Sequence, residues 1–230
     1  MKKLLSILLL FSLSLTLFAC TGGEVPEESD ALTLTSPQSG TYLCTETGVT
    51  YTRRPAIYLP MTLSRKPYAV HTTEGGAVFS FFSFSEGSEG DYLMLADAED
   101  LYPYYIIAEK DYEMPSLSKM DPHQILICNA EEEFFWLTPN VFDQIRTISV
   151  VREIVAGYEA GVKESLPLLK TPTVCVELIF VSAIYPDFAY TCTYLEYEDG
   201  SCYISETDTG VCLRVESGLF DGYRLTKEEP

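Results

Sequence analysis

The sequence predicts an α+β fold: a single antiparallel, β-sheet-rich domain carrying one main amphipathic helix over about residues 140–158. Three observations point there. From Gly40 onward, aromatic and β-branched residues fall in short runs separated by turn residues, as in antiparallel strands. One segment, "VFDQIRTISVVREIVAGY" (141–158), breaks that rhythm with apolar residues at helical spacing. Asp199-Gly200 then separates two strand-like runs, and both residues accept the positive φ of a two-residue hairpin loop.

In chain order, strands are expected in "TYLCT" (41–45), "AIYL" (56–59), "YAVHT" (68–72), "AVFSFFSF" (77–84), "DYLMLA" (91–96), "YYIIAE" (104–109), "QILICN" (124–129) and "EFFWL" (133–137). In the helical segment, Val141, Ile145, Ile148, Val151, Val155 and Tyr158 share one face. Asn140 is placed to cap its start, with Asp143 three residues later, and Gly157 and Gly161 bracket its end. After a Pro-containing connector the β pattern returns in "VCVELIFVSAIY" (174–185), "FAYTCTYLEYE", "SCYISE" and "GVCLRVES".

A two-residue turn at Asp199-Gly200 sets Tyr197 opposite Cys202 and Leu195 opposite Ile204. A second turn at Thr207-Asp208 sets Ile204 opposite Val211 and Cys202 opposite Leu213. In this register Leu195, Tyr197, Cys202, Ile204, Val211 and Leu213 face the core, whereas Tyr194, Glu196 and Tyr203 share the other face with Cys192 and Cys212. A one-residue slip would oppose Cys202 to Cys212 but turn Arg214 and Glu216 inward, so that disulfide is not expected. "GTYLCTETG" (40–48) and "GVCLRVESG" (210–218) share Gly, Leu, Glu and Gly at the same offsets; a duplicated β unit or two separate strands ending in turns both produce this.

The chain opens Met1-Lys2-Lys3, followed by an apolar run from Leu4 to Ala19. That is the charged and apolar order of an export signal, and the run passes into Gly22-Gly23-Glu24 without a basic stop-transfer flank. Leu17-Phe18-Ala19-Cys20 resembles the lipobox of bacterial lipoproteins, with Leu three before the cysteine and Ala directly before it; Phe18 departs from the usual small residue. The resemblance covers residues 1–21 only. It implies a signal peptide over 1–19, an acylated Cys20 as first residue, and a protein held outside the cytoplasm on a membrane, the outer one included if the organism has two. Two acyl chains give stable anchoring where one gives marginal binding. Residues 20–39, rich in Gly, Pro, Ser, Thr and acid, then read as a flexible tether, with the α+β domain over 40–230.

The formal net charge is −19; once Lys2 and Lys3 leave, 13 basic residues face 34 acidic ones and the charge becomes −21. Such a surface repels phosphate backbones and anionic lipid headgroups, which excludes nucleic acid as a partner and leaves the lipid as the membrane link. Setting Cys20 aside, Cys44, Cys128, Cys175, Cys192, Cys202 and Cys212 remain. An exported chain permits three disulfides among six cysteines, while runs such as "QILICNA" suit a free, buried thiol. Their spacing gives no zinc motif, and neither a metal nor another cofactor is expected.

Catalytic signals are sparse. The two histidines are His71, in a strand, and His123, which follows Asp121-Pro122. An Asp121–His123 pair would serve a small envelope hydrolase, although no nucleophile motif accompanies it. Ser116-x-x-Lys119 matches one element of the serine acyl enzymes without its companions and reads as a loop. The acidic loops 85–91 and 96–100 lack EF-hand spacing. Glu177 interrupts an apolar strand and is expected to point outward. Tyr194, Glu196 and Tyr203 offer rings and a carboxylate for a sugar or peptide. The expectation is therefore a lipid-anchored, non-enzymatic module binding a partner protein, peptide or glycan; the alternatives are the hydrolase and a structural accessory without a small ligand.

Overall fold

Short strands of alternating side chains can bury one face only by closing on themselves or by stacking against a second layer, and this chain does both. The computed structural model describes residues 31–61, 64, 66–84, 90–96, 103–129, 141–167 and 170–225. The expected leader, Cys20, the strand at 133–137 and most of the two acidic loops lie outside these residues.

The first half of the chain forms β1 (Leu32–Gln38), β2 (Thr41–Cys44), β3 (Thr50–Arg53), β4 (Tyr58–Pro60), β5 (Pro67–Thr72), β6 (Val78–Ser83), β7 (Tyr92–Ala96) and β8 (Pro103–Glu109). All but β4 close into a barrel of order β1-β2-β3-β8-β7-β6-β5. Every pairing is antiparallel except the closure, where β1 runs parallel to β5 with Leu32 opposite Ala69 and Thr33 opposite Val70. Inward residues including Leu34, Tyr42, Tyr51, Phe81, Leu93 and Ile107 fill the interior.

β1 shortens the expected tether, which was to run through residue 39. Leu32-Thr33-Leu34-Thr35 alternates, and Leu34 is buried inside the barrel. Glu46 fixes the beginning of the strand by accepting the Thr33 N–H at 3.0 Å. The later residues of β1 are exposed, so their composition resembles a linker even though their backbone is paired.

The second half contains α1 (Leu117–Met120), β9 (Pro122–Asn129), β10 (Val141–Ile145), α2 (Ile148–Glu159), β11 (Val162–Lys163), β12 (Val174–Ser182), β13 (Phe188–Glu196), β14 (Cys202–Ser205) and β15 (Cys212–Val215). Its strands form a sheet of order β10-β9-β12-β13-β14-β15-β11, with β4 paired to β13. Val151, Ile154 and Val155 of α2 pack onto this sheet, and so do Phe82, Phe84, Met94 and Ile106 from the barrel. The phenylalanines at the end of β6 and just beyond it divide accordingly: Phe81 fills the barrel while Phe82 and Phe84 join the neighbouring core. The α+β, largely antiparallel class is therefore as expected.

The helix is shorter than the periodicity suggested. Residues 141–145 form β10, paired with β9, and Thr147 in an extended conformation (φ −76°, ψ 107°) marks the start of α2. Val141 and Ile145 fit both a helical and a strand spacing, and pairing with β9 decides between them. Gly161 then passes tightly against β15: a Cβ there would stand 2.8 Å from Leu213 Cβ and 3.0 Å from the Tyr158 carbonyl oxygen.

The hairpin register also shifts. The loop after β13 has three residues, Glu198–Gly200, closed by Gly200 N–H to Tyr197 O (2.9 Å) and Tyr197 N–H to Ser201 O (3.1 Å). Only Gly200 takes a positive φ (77°), whereas Asp199 accepts from Ser201 N–H and Oγ–H. That is a type I turn with a left-handed glycine in place of the expected two-residue loop. Glu196 therefore faces Cys202, Leu195 faces Tyr203, and Tyr194 faces Ile204. The next loop spans Thr207–Gly210, opposing Ile204 to Leu213 and Cys202 to Val215. The six cysteines among the described residues are free thiols. Gly40, Gly48, Gly210 and Gly218 all have positive φ, so the two similar nine-residue stretches are strands bounded by left-handed glycines, one in each sheet.

One buried group joins the helix to this hairpin. The Glu206 carboxyl accepts from Tyr158 of α2, from Tyr190 of β13 (2.5 Å) and from Thr209 (2.7 Å). Burial and the Glu206 acceptor push the Tyr190 hydroxyl well above its ordinary pKa, so it stays protonated and donates. Glu206→Ala removes the acceptor from these hydroxyls and is expected to cost about 2–3 kcal/mol in urea unfolding. Glu206→Gln keeps an acceptor and is expected to cost about 1 kcal/mol.

Candidate functional site

At one end of the barrel, the inward column of several strands finishes in a ring or a cation instead of an aliphatic side chain. These residues are Tyr42 on β2, Arg53 on β3, His71 on β5, Phe79 on β6 and Tyr105 on β8. The registers bring them together, since His71 faces Phe79 across β5–β6 and Arg53 lies one pair beyond Thr52 on β3–β8. They form one chain of contacts. Phe79 and His71 stack with planes 14° apart, His71 meets Tyr42 edge-on at 5.8 Å, and the Tyr42 and Tyr105 hydroxyls are 2.5 Å apart. The Arg53 guanidinium lies 4.9 Å from the Tyr105 ring centroid and pairs with Asp208 at 2.9 Å.

Each member is held from behind. His71 Nδ1 lies 2.9 Å from the Leu34 carbonyl oxygen, and Tyr42 rests against the buried Phe81 at 5.0 Å. Burial first, then the Tyr42 hydrogen bond, raises the Tyr105 pKa, so its hydroxyl stays protonated. Asp208 projects from the β14–β15 loop with φ +67°, a left-handed conformation that Asp tolerates better than most residues. The rim remains open: Phe79 is 39% exposed, His71 and Tyr105 are half-buried, and Arg53 and Asp208 border a groove of about 530 Å³. The arrangement offers an aromatic face, a hydroxyl pair and a guanidinium–carboxylate fork, which suit recognition.

A larger cleft, of about 740 Å³, lies between the end of α2, β15 and the Gly200 loop. It is lined mainly by small residues such as Ala156, Gly157, Ala160 and Ser201, and its Arg214 reaches Glu164 at 3.8 Å. Its titratable side chains are Cys202, Arg214 and Glu216, and no aromatic ring lines it.

The sequence-predicted face does not form. Tyr194 is fully buried, 4.6 Å from Phe220, and its hydroxyl donates to Glu196 at 2.7 Å. Tyr203 lies opposite Leu195, on the other face of the sheet, and packs edge-on against Tyr197 at 5.7 Å. Both faces of β13 and β14 are covered, so alternation does not separate core from solvent there. Asp121 and His123 are not brought together either. Asp121 closes α1 with φ +42° and pairs with Arg152 at 3.6 Å, whereas His123 is exposed and has no hydrogen bond among the described residues. Ser116 serves as the N-cap of α1 and accepts from the Lys119 backbone N–H at 3.4 Å, with Lys119 itself exposed.

The outward placement expected for Glu177 is also overturned. It is 6% exposed, opposite Cys128 on one side and Thr193 on the other, and accepts from Thr193 at 3.1 Å. Burial raises its pKa to about 7 against the opposing hydrogen bonds of Thr193 and Thr191. Burial, with Glu177 adding to it, pushes the Cys128 thiol up to about 12. Among the described residues no three His, Cys, Asp or Glu side chains form a metal-binding group, and no helix is long and apolar enough to cross a membrane.

Glu177 has a measurable consequence. Between about pH 4.5 and 7 the folded protein retains a proton there that the unfolded chain has lost. Stability is therefore highest at the acid end of this window and falls by about 3 kcal/mol as pH rises through it. Urea unfolding across that range is expected to show the decline in the native protein and a flatter profile in Glu177→Gln. No family model, curated protein or solved structure matches the chain, so the geometry at the barrel end stands on its own.

Proposed function

We propose that this chain is a lipid-anchored extracytoplasmic lipoprotein whose folded domain is a non-enzymatic binding module, presenting the barrel end to a partner glycan, peptide or protein. The observation that carries the binding reading is the unbroken contact chain from Phe79 to Asp208, with an exposed ring at one end and a half-exposed ion pair at the other. None of its members forms a nucleophile–base pair, so the arrangement suits holding a ligand better than transforming one.

β1 begins at Leu32, beside Ala69, and runs parallel to β5 toward the end where His71 and Phe79 lie. Residues 21–31 would span at most ~40 Å fully extended, enough to hold the domain clear of headgroups that its acidic surface repels.

Mass spectrometry of the membrane fraction is expected to find a diacylated mature N-terminus at Cys20, and Cys20→Ala to release the protein from membranes. An unmodified N-terminus elsewhere would refute the anchor. The paired removal of His123 and Asp121 is expected to leave every binding activity intact, and its loss would instead favour the hydrolase reading.

A further inference from the structure

We propose that the seam between the barrel and the second sheet carries a docking face for a basic segment of a partner protein, whose Arg or Lys side chain enters beside Tyr92 and Tyr112 toward Asp91 and Asp187. None of these residues belongs to the barrel-end set. Three chain segments build the face. Tyr92 opens β7 opposite Ala108, and the Asp91 carbonyl oxygen just before it accepts the Glu109 N–H at 2.8 Å. Tyr112 follows β8 in a turn closed by its own N–H to the Glu109 carbonyl oxygen at 2.9 Å. Asp187 precedes β13, and its carbonyl oxygen accepts the Met61 N–H at 2.8 Å.

The side chains of these segments meet. The Tyr92 and Tyr112 ring centroids are 5.4 Å apart, and the Tyr92 hydroxyl donates to Asp187 Oδ2 at 2.8 Å. Tyr92 and Tyr185 both pack on the buried Phe188, at 5.4 and 5.7 Å. Phe84 holds Tyr92 edge-on at 4.9 Å, so the half-buried phenols rest on an apolar floor. Burial first, and then the nearby Asp91 and Asp187 charges, raise the pKa of the Tyr92 and Tyr112 hydroxyls. Both rings therefore stay neutral, and the two carboxylates supply the charge.

A cation fits this arrangement. Among the described residues neither Asp91 nor Asp187 is in an ion pair. Arg54 reaches the Tyr112 carbonyl oxygen, but it is engaged there and at the Glu109 carbonyl. A guanidinium or ammonium gains from a ring and from a carboxylate together, whereas two carboxylates fall short of the roughly six to eight oxygens that calcium takes. The surroundings favour a side chain carried on a protein. Met61 is 42% exposed, and Ile184, directly before Tyr185, is 61% exposed. A groove of about 560 Å³ opens beside Tyr112, where Asp111 and Glu113 balance Arg54 and Lys110. Exposed apolar residues around tyrosines give a partner area to bury, and a net charge of −19 steers a basic one toward it.

Isothermal titration of the full-length protein tests the assignment. The probes are an acetylated, amidated peptide with arginines among leucines and alanines, its lysine and citrulline counterparts, and tetramethylammonium chloride. The arginine or the lysine peptide is expected to bind, and the neutral citrulline peptide to bind about tenfold more weakly or less. Asp187→Asn keeps an oxygen for the Tyr92 hydroxyl and is expected to weaken binding about tenfold without lowering Tm. Tyr112→Ala is expected to weaken it about threefold, whereas Tyr112→Phe keeps the ring and should retain it. Glu153→Gln on α2 and Glu198→Gln after β13 remove the same charge from exposed positions elsewhere and should leave binding unchanged. Equal losses from these and from Asp187→Asn would reduce the effect to general attraction by an acidic surface and overturn the site. Failure of both cationic peptides, or equal binding of the citrulline peptide, would overturn the docking face while leaving the barrel-end reading in place. Binding of tetramethylammonium alone would overturn the protein partner, and loss of the peptide in Phe79→Ala would overturn the location in favour of the barrel end.

Discussion

The Glu206 carboxyl is the group on which the geometry of the molecule turns. It accepts from α2 through Tyr158, from β13 through Tyr190, and from its own loop through Thr209. Helix, sheet and β14–β15 loop are thereby fixed relative to one another inside the core, where an unmade hydrogen bond is expensive. The same loop carries Asp208, which reaches across to Arg53 on β3. A buried hydrogen-bond network in one half of the fold thus sets the orientation of a guanidinium at the rim of the other.

The two sheets need each other for a simpler reason. Phe81 faces the barrel interior while Phe82 and Phe84 face the core shared with α2 and the second sheet. A seven-stranded barrel of short strands would leave those outer rings wet if it stood alone, and burying them against β12 and β13 joins the halves into one compact unit of residues 31–230. Along this seam Tyr58 of β4 donates to the Pro115 carbonyl at 2.9 Å, and Arg54 donates to the carbonyls of Glu109 and Tyr112. The connection between the halves is therefore tied down by backbone acceptors as well as by apolar contact.

Much of the strand pattern was legible because Val, Ile, Phe and Tyr runs separated by turn residues have few alternatives to antiparallel pairing. What was not legible depended on contacts distant in sequence. β1 hid because its later residues face water. β10 hid because Val141 and Ile145 suit either period. The register after β13 slipped because Asp199 bonded its own neighbour and only Gly200 took the left-handed conformation. Tyr194 and Tyr203 were misplaced for the same reason, compounded by burial of both sheet faces. The sequence shows His71 only as a strand histidine and does not single out Arg53, since it does not reveal which strand ends meet when a barrel closes. Glu177 was visible as an interruption, but its burial depends on the second face being covered.

The parallel pairing of β1 with β5 has a mechanical consequence. A load applied at the N-terminal end of β1 and opposed at the rim toward which β1 runs would lie along the strand axes. Such a load strains the hydrogen bonds of β1 to β2 and to β5 together, in shear, instead of opening them one at a time as peeling would. A barrel closed by its own first strand in this sense resists extraction of β1 from its N-terminal end, because several bonds would have to break at once.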